Sequence, residues 1–291
     1  MPEIISCPLD TWNVPASPEH QASVIDALEA GQVVLLPNLP FSLSDSERQL
    51  CESQIVGASK NISLTPATGI LKGCKASAAE IARLQAMMMR FATSTKNLVS
   101  QLLPPYAQGA QQARTSFRPV EIAGRETSWR KDDTRLHVDN FPSSPTHGKR
   151  ILRVFSNINP AGQPRKWRLG EPFETVARQY LAQLPKPVWG SSTVLNALGI
   201  TKCPRSAYDH YMLQLHDHMK GDLAYQARVG QRLWDFPAGS TWMVFTDQVS
   251  HAAISGQYAL EQTFLLPVEC MRDAGRAPLR VLEQMMGRTL I

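Results

Sequence analysis

Residues 236–264 read FPAGSTWMVFTDQVSHAAISGQYALEQTF. Three extended runs stand out: Thr241 to Thr246, Ala252 to Ser255 and Ala259 to Pro267. They are rich in β-branched, aromatic and small residues, and Asp, Gly and Ser punctuate them. Working outward, the same texture begins near Gln112. Thr115 to Ile122, Thr134 to Val138, Ile151 to Ile158, Tyr225 to Val229 and Arg232 to Phe236 are further short runs bounded by turn residues. This spacing predicts an all-β sandwich or barrel. A helix-rich insert over 171–221 interrupts it, with helices predicted over Phe173 to Leu184 and Arg205 to Lys220.

Helices flank the β region. Ser17 to Ala30 has helical apolar spacing and stops at Gly31, and Val33 to Leu36 then reads as a short buried strand. Ser44 to Val56 starts with the Ser44/Glu47 spacing of a capping box. Ser77 to Leu103 repeats apolar residues at three- and four-residue steps and ends at Pro104-Pro105. A last helix spans Leu279 to Leu290. The expected fold class is mainly β with flanking helices (α+β). One domain is expected over 1–291: a helical part with short strands (1–111), the β core (112–268) and a C-terminal helix (269–291).

The chain has 291 residues, 43% hydrophobic and 19% charged, as in ordinary globular proteins. Its net charge is +5 and its pI about 9.0, which favours an anionic partner. No lysine-rich tail or arginine-rich helix appears, so nucleic acid is not expected. Five scattered cysteines with no CxxC pair fit free thiols in a reducing cytoplasm. Neither a signal peptide nor a membrane span is read.

The chemistry centres on Leu136-His137-Val138-Asp139. On a strand, residues i and i+2 share a face ~6.5–7 Å apart. Two such side chains can converge on one ion at ~2.0–2.2 Å from each donor. His251, late in the quoted stretch, supplies a third donor. Two histidines and one carboxylate on one face of a metal form the facial triad of non-haem iron(II) oxygenases. The open positions suit a bidentate 2-oxo acid and dioxygen. His216-Asp217-His218 repeats the spacing on a predicted helix, where i and i+2 diverge; these read as solvated, or as lining a lid. The 2-oxoglutarate carboxylate remote from the metal needs a cation. Arg153 lies mid-strand among apolar residues, where an unpaired charge is costly and a bidentate carboxylate would satisfy it. Asn157 shares its face. Arg150 falls on the opposite face and is the second choice. Arg125, Arg130, Lys131, Arg135, Lys149, Arg150, Arg165, Lys166 and Arg168 crowd the surrounding sequence as a candidate basic rim.

Arg135 to Pro160, RLHVDNFPSSPTHGKRILRVFSNINP, resembles the iron/2-oxoglutarate-dependent Kdo (3-deoxy-D-manno-oct-2-ulosonic acid) 3-hydroxylase family. Phe236 to Phe264 is similar to that family's distal histidine region. The resemblance implies a jelly-roll (double-stranded β-helix, cupin-like) core and iron(II) held by His137, Asp139 and His251. It implies 2-oxoglutarate and dioxygen as co-substrates, with ascorbate supportive. It further implies hydroxylation at carbon 3 of Kdo in Kdo-lipid A, an anionic glycolipid, at the inner face of the inner membrane. Many relatives in the wider superfamily place Arg or Lys shortly after the distal histidine. Here Glu261, Gln262 and Thr263 stand there, which shifts the anchor toward Arg153 and gives Gln262 a supporting hydrogen bond. The C-terminal helix is a candidate membrane or partner contact. Alternative readings are an iron hydroxylase of another small molecule or protein, a non-oxidative sugar-acting cupin, and a sugar-binding module.

Overall fold

A computed structural model describes residues 2–13, 16–51, 55–57 and 61–291. The first elements are β1 (Ile4–Ser6), α1 (Pro18–Glu29), β2 (Val33–Leu36), α2 (Asp45–Arg48), β3 (Ile62–Thr65), β4 (Ile70–Lys72) and α3 (Ala78–Leu102). Then follow α4 (Pro104–Ala107), β5 (Gln111–Arg118), β6 (Arg150–Asn157), β7 (Arg165–Leu169), α5 (Phe173–Tyr180) and α6 (Ser191–Ala197). The last are α7 (Ala207–Gly221), α8 (Leu223–Arg228), β8 (Arg232–Phe236), β9 (Thr241–Phe245), β10 (His251–Ser255), β11 (Ala259–Leu266) and α9 (Pro278–Met286).

Eight strands form one sheet in the order β1-β2-β9-β6-β11-β5-β3-β4. Only β1 and β2 run parallel within it. A second, antiparallel sheet has the order β10-β7-β8. The mixed helix-and-strand class expected from the sequence is therefore seen, with a large sheet at its centre.

Strand β6 shows how the layers meet. All eight of its residues are buried, so both faces are covered. Leu152 and Val154 point to a core shared with α1, α5, α7 and α9. Phe155, on the alternate face, joins the core between the two sheets with Trp242, Trp167 and Phe236. There Phe155 stacks on Trp242 at 5.1 Å, and Phe236 stacks on the same indole at 4.1 Å. Trp167 meets Phe155 edge-on at 5.1 Å. Such ring pairs add to the area they remove from water. A third cluster packs Leu84, Met87, Met88 and Phe91 of α3 on Ile62, Leu64, Phe117 and Leu260.

Helix boundaries follow the sequence signals. Ser77 and Glu80 form the full capping box of α3, and Ser44 and Glu47 that of α2. The predicted helix over Ser44 to Val56 is shorter: α2 ends at Arg48, and a 3-10 turn covers Gln49–Cys51. Residues 52–54 of that prediction lie outside the described residues. The predicted strand Tyr225 to Val229 is helix α8 instead, started by the Asp222 side chain accepting from Tyr225 N. The predicted strand Thr134 to Val138 is reduced to one β-bridge, between His137 and His251. Strands β1, β3, β4 and β7 were not predicted. Helix α9 buries Leu279 and Leu282 in the core of the protein. No helix among the described residues is long and apolar enough to cross a membrane.

Trp242 touches both sheets, so Trp242→Ala should lower unfolding free energy by about 3–5 kcal/mol. Urea titration followed by circular dichroism measures this, and a loss near zero would mean the inter-sheet layer contributes little.

Candidate metal and anion site

The segment Leu136 to Asp139 is held on both flanks. His137 N donates to His251 O at 3.1 Å, and His251 N donates to His137 O at 2.9 Å. Asp139 N donates to Thr246 O at 2.7 Å. On the other side, Gln226 of α8 accepts from Leu136 N at 2.8 Å and donates to Leu136 O at 2.9 Å. A side chain thus takes the place of a neighbouring strand on that flank. Leu136 and Val138 enter the helix-side core, while His137 and Asp139 face a cavity.

The imidazoles are oriented by their Nδ1–H groups. His137 donates from Nδ1 to Arg135 O at 2.7 Å, and His251 donates to Val249 O at 2.8 Å. Each Nε2 therefore presents a lone pair. His137 Nε2 lies 3.6 Å from Asp139 Oδ1, and one donor atom from each of His137, Asp139 and His251 lies within 4.8 Å of the others. Trp167 stacks on His251 with centroids 5.1 Å apart. His216 of α7 meets His137 edge-on at 5.3 Å. His216, expected to be solvated or to line a lid, is half-buried; it stands four residues after Met212 and three before Met219, both buried in α7.

Burial keeps these groups in ligand-ready forms. Loss of water, reinforced by the charge of Lys220, pushes His137 down to about 3. Burial also lowers His251, against the pull of Asp139. Burial pushes Asp139 upward, but the Arg153 guanidinium and the His137 hydrogen bond outweigh it and hold the carboxyl well below its usual range. Neutral imidazoles and an ionised carboxylate are the states a divalent metal requires.

Three arginines line the same cavity: Arg118, Arg153 and Arg165. Arg153 is paired internally, with Asp139 Oδ2 at 2.8 Å and with Glu261. Arg118 Nε donates to the other Glu261 oxygen at 2.7 Å. Arg165 is different. It is 2% exposed, and its Nη1 donates to Gly256 O at 3.2 Å. No carboxylate reaches ion-pair distance of it among the described residues. Burial, then the neighbouring charge of Arg118, pushes it down to about 9. Its Nε and Trp167 Nε1 are both buried without a hydrogen-bond partner among the described residues. They project from alternate residues of β7, hence from one face. Two orphan donors beside a surplus cation make a seat for an anion.

The remaining expectations are redirected. Arg150 is buried away from the cavity, where it donates to Asp247 at 2.7 Å and Gln248 at 2.6 Å. Asn157 shares the face of Arg153 but clamps a turn, donating to Gln163 O and Phe236 O. Gln262 accepts from Thr115 Oγ1 at 2.6 Å and donates to Thr263 O. None of the three lines the cavity. Much of the expected basic rim is paired within the protein: Arg125 with Asp133, Arg130 with Asp217, Arg135 with Asp132 and Lys166 with Asp235. Arg165, read as rim, belongs inside. A roomier cleft of about 870 Å³ lies between α1, α5 and α9, but it is lined by mixed charge and holds no cluster of metal-ligating side chains among the described residues.

Comparison with curated proteins returned no match. The profile of the 3-deoxy-D-manno-oct-2-ulosonic acid (Kdo) hydroxylase family matches residues 11–289. A crystal structure of the Kdo hydroxylase KdoO, a non-heme Fe(II) alphaketoglutarate dependent dioxygenase, in complex with cobalt(II), is 48% identical with a TM-score of 0.96, over 99% of this chain and 97% of that one. The same enzyme with alphaketoglutarate and Fe(III) matches at 48% identity and a TM-score of 0.96, over 100% of this chain and 98% of that one. Its complex with succinate and Fe(III) matches at 48% identity and a TM-score of 0.95, over 99% and 97%. The chain belongs to the Kdo hydroxylase family.

Proposed function

We propose that this chain is an iron(II)/2-oxoglutarate-dependent dioxygenase that hydroxylates carbon 3 of Kdo within Kdo-lipid A. The observation that carries this reading is the convergence of His137, Asp139 and His251 beside a buried, under-partnered Arg165. The likeness to a Kdo hydroxylase solved with Fe(III), alphaketoglutarate and succinate supports it. The two sheets, joined through Phe155, Trp242, Trp167 and Phe236, favour a jelly-roll core of the double-stranded β-helix type. We read the 291 residues as one domain. Free thiols at all five cysteines favour a cytoplasmic setting.

The residues fit the cofactors. His137 Nε2, His251 Nε2 and one Asp139 oxygen would hold iron, leaving the opposite side open. Bound iron supplies activation of dioxygen and the oxidising step, coupled to decarboxylation of 2-oxoglutarate. Arg153 grips the second Asp139 oxygen and fixes the carboxylate in place. Arg165 and the Trp167 indole N–H would take the co-substrate carboxylate remote from the metal. Charge agrees: Arg125 neutralises the lining Asp133, and Arg118, Arg153 and Arg165 meet Asp139 and Glu261, which leaves one positive charge for that carboxylate. Phe155 and Trp167 wall the cavity and exclude water.

His137→Ala and His251→Ala should each abolish Kdo-lipid A-dependent succinate release and weaken cobalt(II) binding by about 100-fold or more. Full turnover in either purified variant would remove the ligand assignment. Arg165→Ala should raise the apparent KM for 2-oxoglutarate by roughly 30-fold or more while cobalt(II) still binds, because a buried charged hydrogen bond is lost. Arg150→Ala should instead lower stability by about 3–5 kcal/mol with no selective effect on that KM, since it strands buried Asp247. The depressed histidines set a pH signature. Protons displace a metal only once the pH falls below the free ligand's pKa. Cobalt(II) affinity at about pH 5.5 should therefore be less than about tenfold weaker than at about pH 7.5, where two ordinary histidines would cost about 100-fold. Cobalt absorption titrations at the two pH values decide between these outcomes.

A further inference from the structure

We propose that residues 185–205 form a docking element for an anionic lipid surface. The segment reads PKPVWGSSTVLNALGITKCPR. Nine large apolar side chains are markedly exposed among the described residues, and five of them fall here: Val188, Trp189, Val194, Leu198 and Ile200. Trp189 is 98% exposed. Single exposed apolar residues are common, but a concentration of this kind marks a contact surface.

The segment is held in place. His210 Nε2 donates to Pro185 O at 2.8 Å, and His147 Nε2 donates to Pro204 O at 2.7 Å. Ser192 Oγ donates to Arg205 O at 2.8 Å and ties the start of α6 to the end of the segment. Polar groups secure its two ends while its apolar side chains stay in water.

Charge identifies the occupant. Lys186, Lys202 and Arg205 lie in the segment, which contains no Asp or Glu. An indole among aliphatic side chains, flanked by lysines on flexible stems, is the pattern of an anionic membrane interface. Protein interfaces are depleted in lysine. A two-fold pairing of two copies through this face would set like charges against each other.

Position ties the element to the cavity. Lys202 N donates to Ser143 O at 3.0 Å, and Arg205 donates to Pro142 O at 2.6 Å. Those carbonyls follow Asp139 by only a few residues, so at most about 14 Å of backbone separates them from the metal segment. Docking here would bring the site to the lipid surface. The benefit to catalysis rests on the dioxygenase reading, but the binding itself does not.

The test is co-sedimentation with phosphatidylcholine vesicles, with and without about one third phosphatidylglycerol. Wild-type protein should bind the anionic vesicles. Trp189→Ser/Leu198→Ser and Lys186→Glu/Lys202→Glu should each bind at least about tenfold more weakly, with unchanged thermal melting and unchanged substrate-free consumption of 2-oxoglutarate. Brominated phosphatidylcholine should quench wild-type tryptophan fluorescence more than that of Trp189→Phe, a readout independent of the double variants. Unchanged binding in both double variants, no wild-type binding, or equal quenching overturns the proposal. Self-association that is lost in Trp189→Ser/Leu198→Ser would assign the face to a second copy and overturn it too. Vesicle binding without succinate release from Kdo-lipid A would instead count against the dioxygenase reading alone.

Discussion

The site depends on one backbone pairing. His137 and His251 exchange both of their main-chain hydrogen bonds, at 3.1 and 2.9 Å. An opposed pair of this kind fixes register, and a slip by one residue would turn one imidazole away from the face of the other. The pairing also fixes Asp139, because alternation carries it to the side of His137. The ring centroids of His137 and His251 lie 4.7 Å apart. The sheet's own hydrogen bonds thus set much of the arrangement.

Around that pairing the protein sets a chain of buried charges: Asp139, Arg153, Glu261 and Arg118. An isolated buried ion is costly, so each member stabilises the next. The chain is balanced at its ends, and Arg165 stands outside it. A charge left in this state is expensive in the free protein and favourable once an anion of matching geometry enters. That asymmetry is the reason Arg165 is proposed as a binding residue beside Arg153, whose hydrogen bonds are already made.

The sequence carried the proposed metal ligands because period-two spacing and strand context are local. It carried helix caps for the same reason: Ser77 with Glu80 and Ser44 with Glu47 are three residues apart. It did not single out Arg165, the anchor proposed above. Arg165-Lys166-Trp167-Arg168-Leu169 looks like a solvated basic run, yet its alternation was present: Arg165, Trp167 and Leu169 are buried, and Lys166 is exposed. The helix α8 was read as a strand because the cap that starts it, Asp222, is a single side chain and its neighbours are apolar. Arg153 was placed on the correct face, but whether a buried arginine meets a ligand or a carboxylate depends on Glu261, which only the sheet brings opposite Phe155.

Gly256 adopts a φ of 116°, and a Cβ placed there would approach the Arg165 Cα to 3.0 Å. Its own amide donates to Glu121 at 2.7 Å, while its carbonyl accepts from Arg165. The absence of a side chain at this one position thus acts as a spacer. It lets the turn at 256 lie against the β7 backbone, so the place of the guanidinium proposed to hold the dicarboxylate rests on a backbone contact rather than on a side chain.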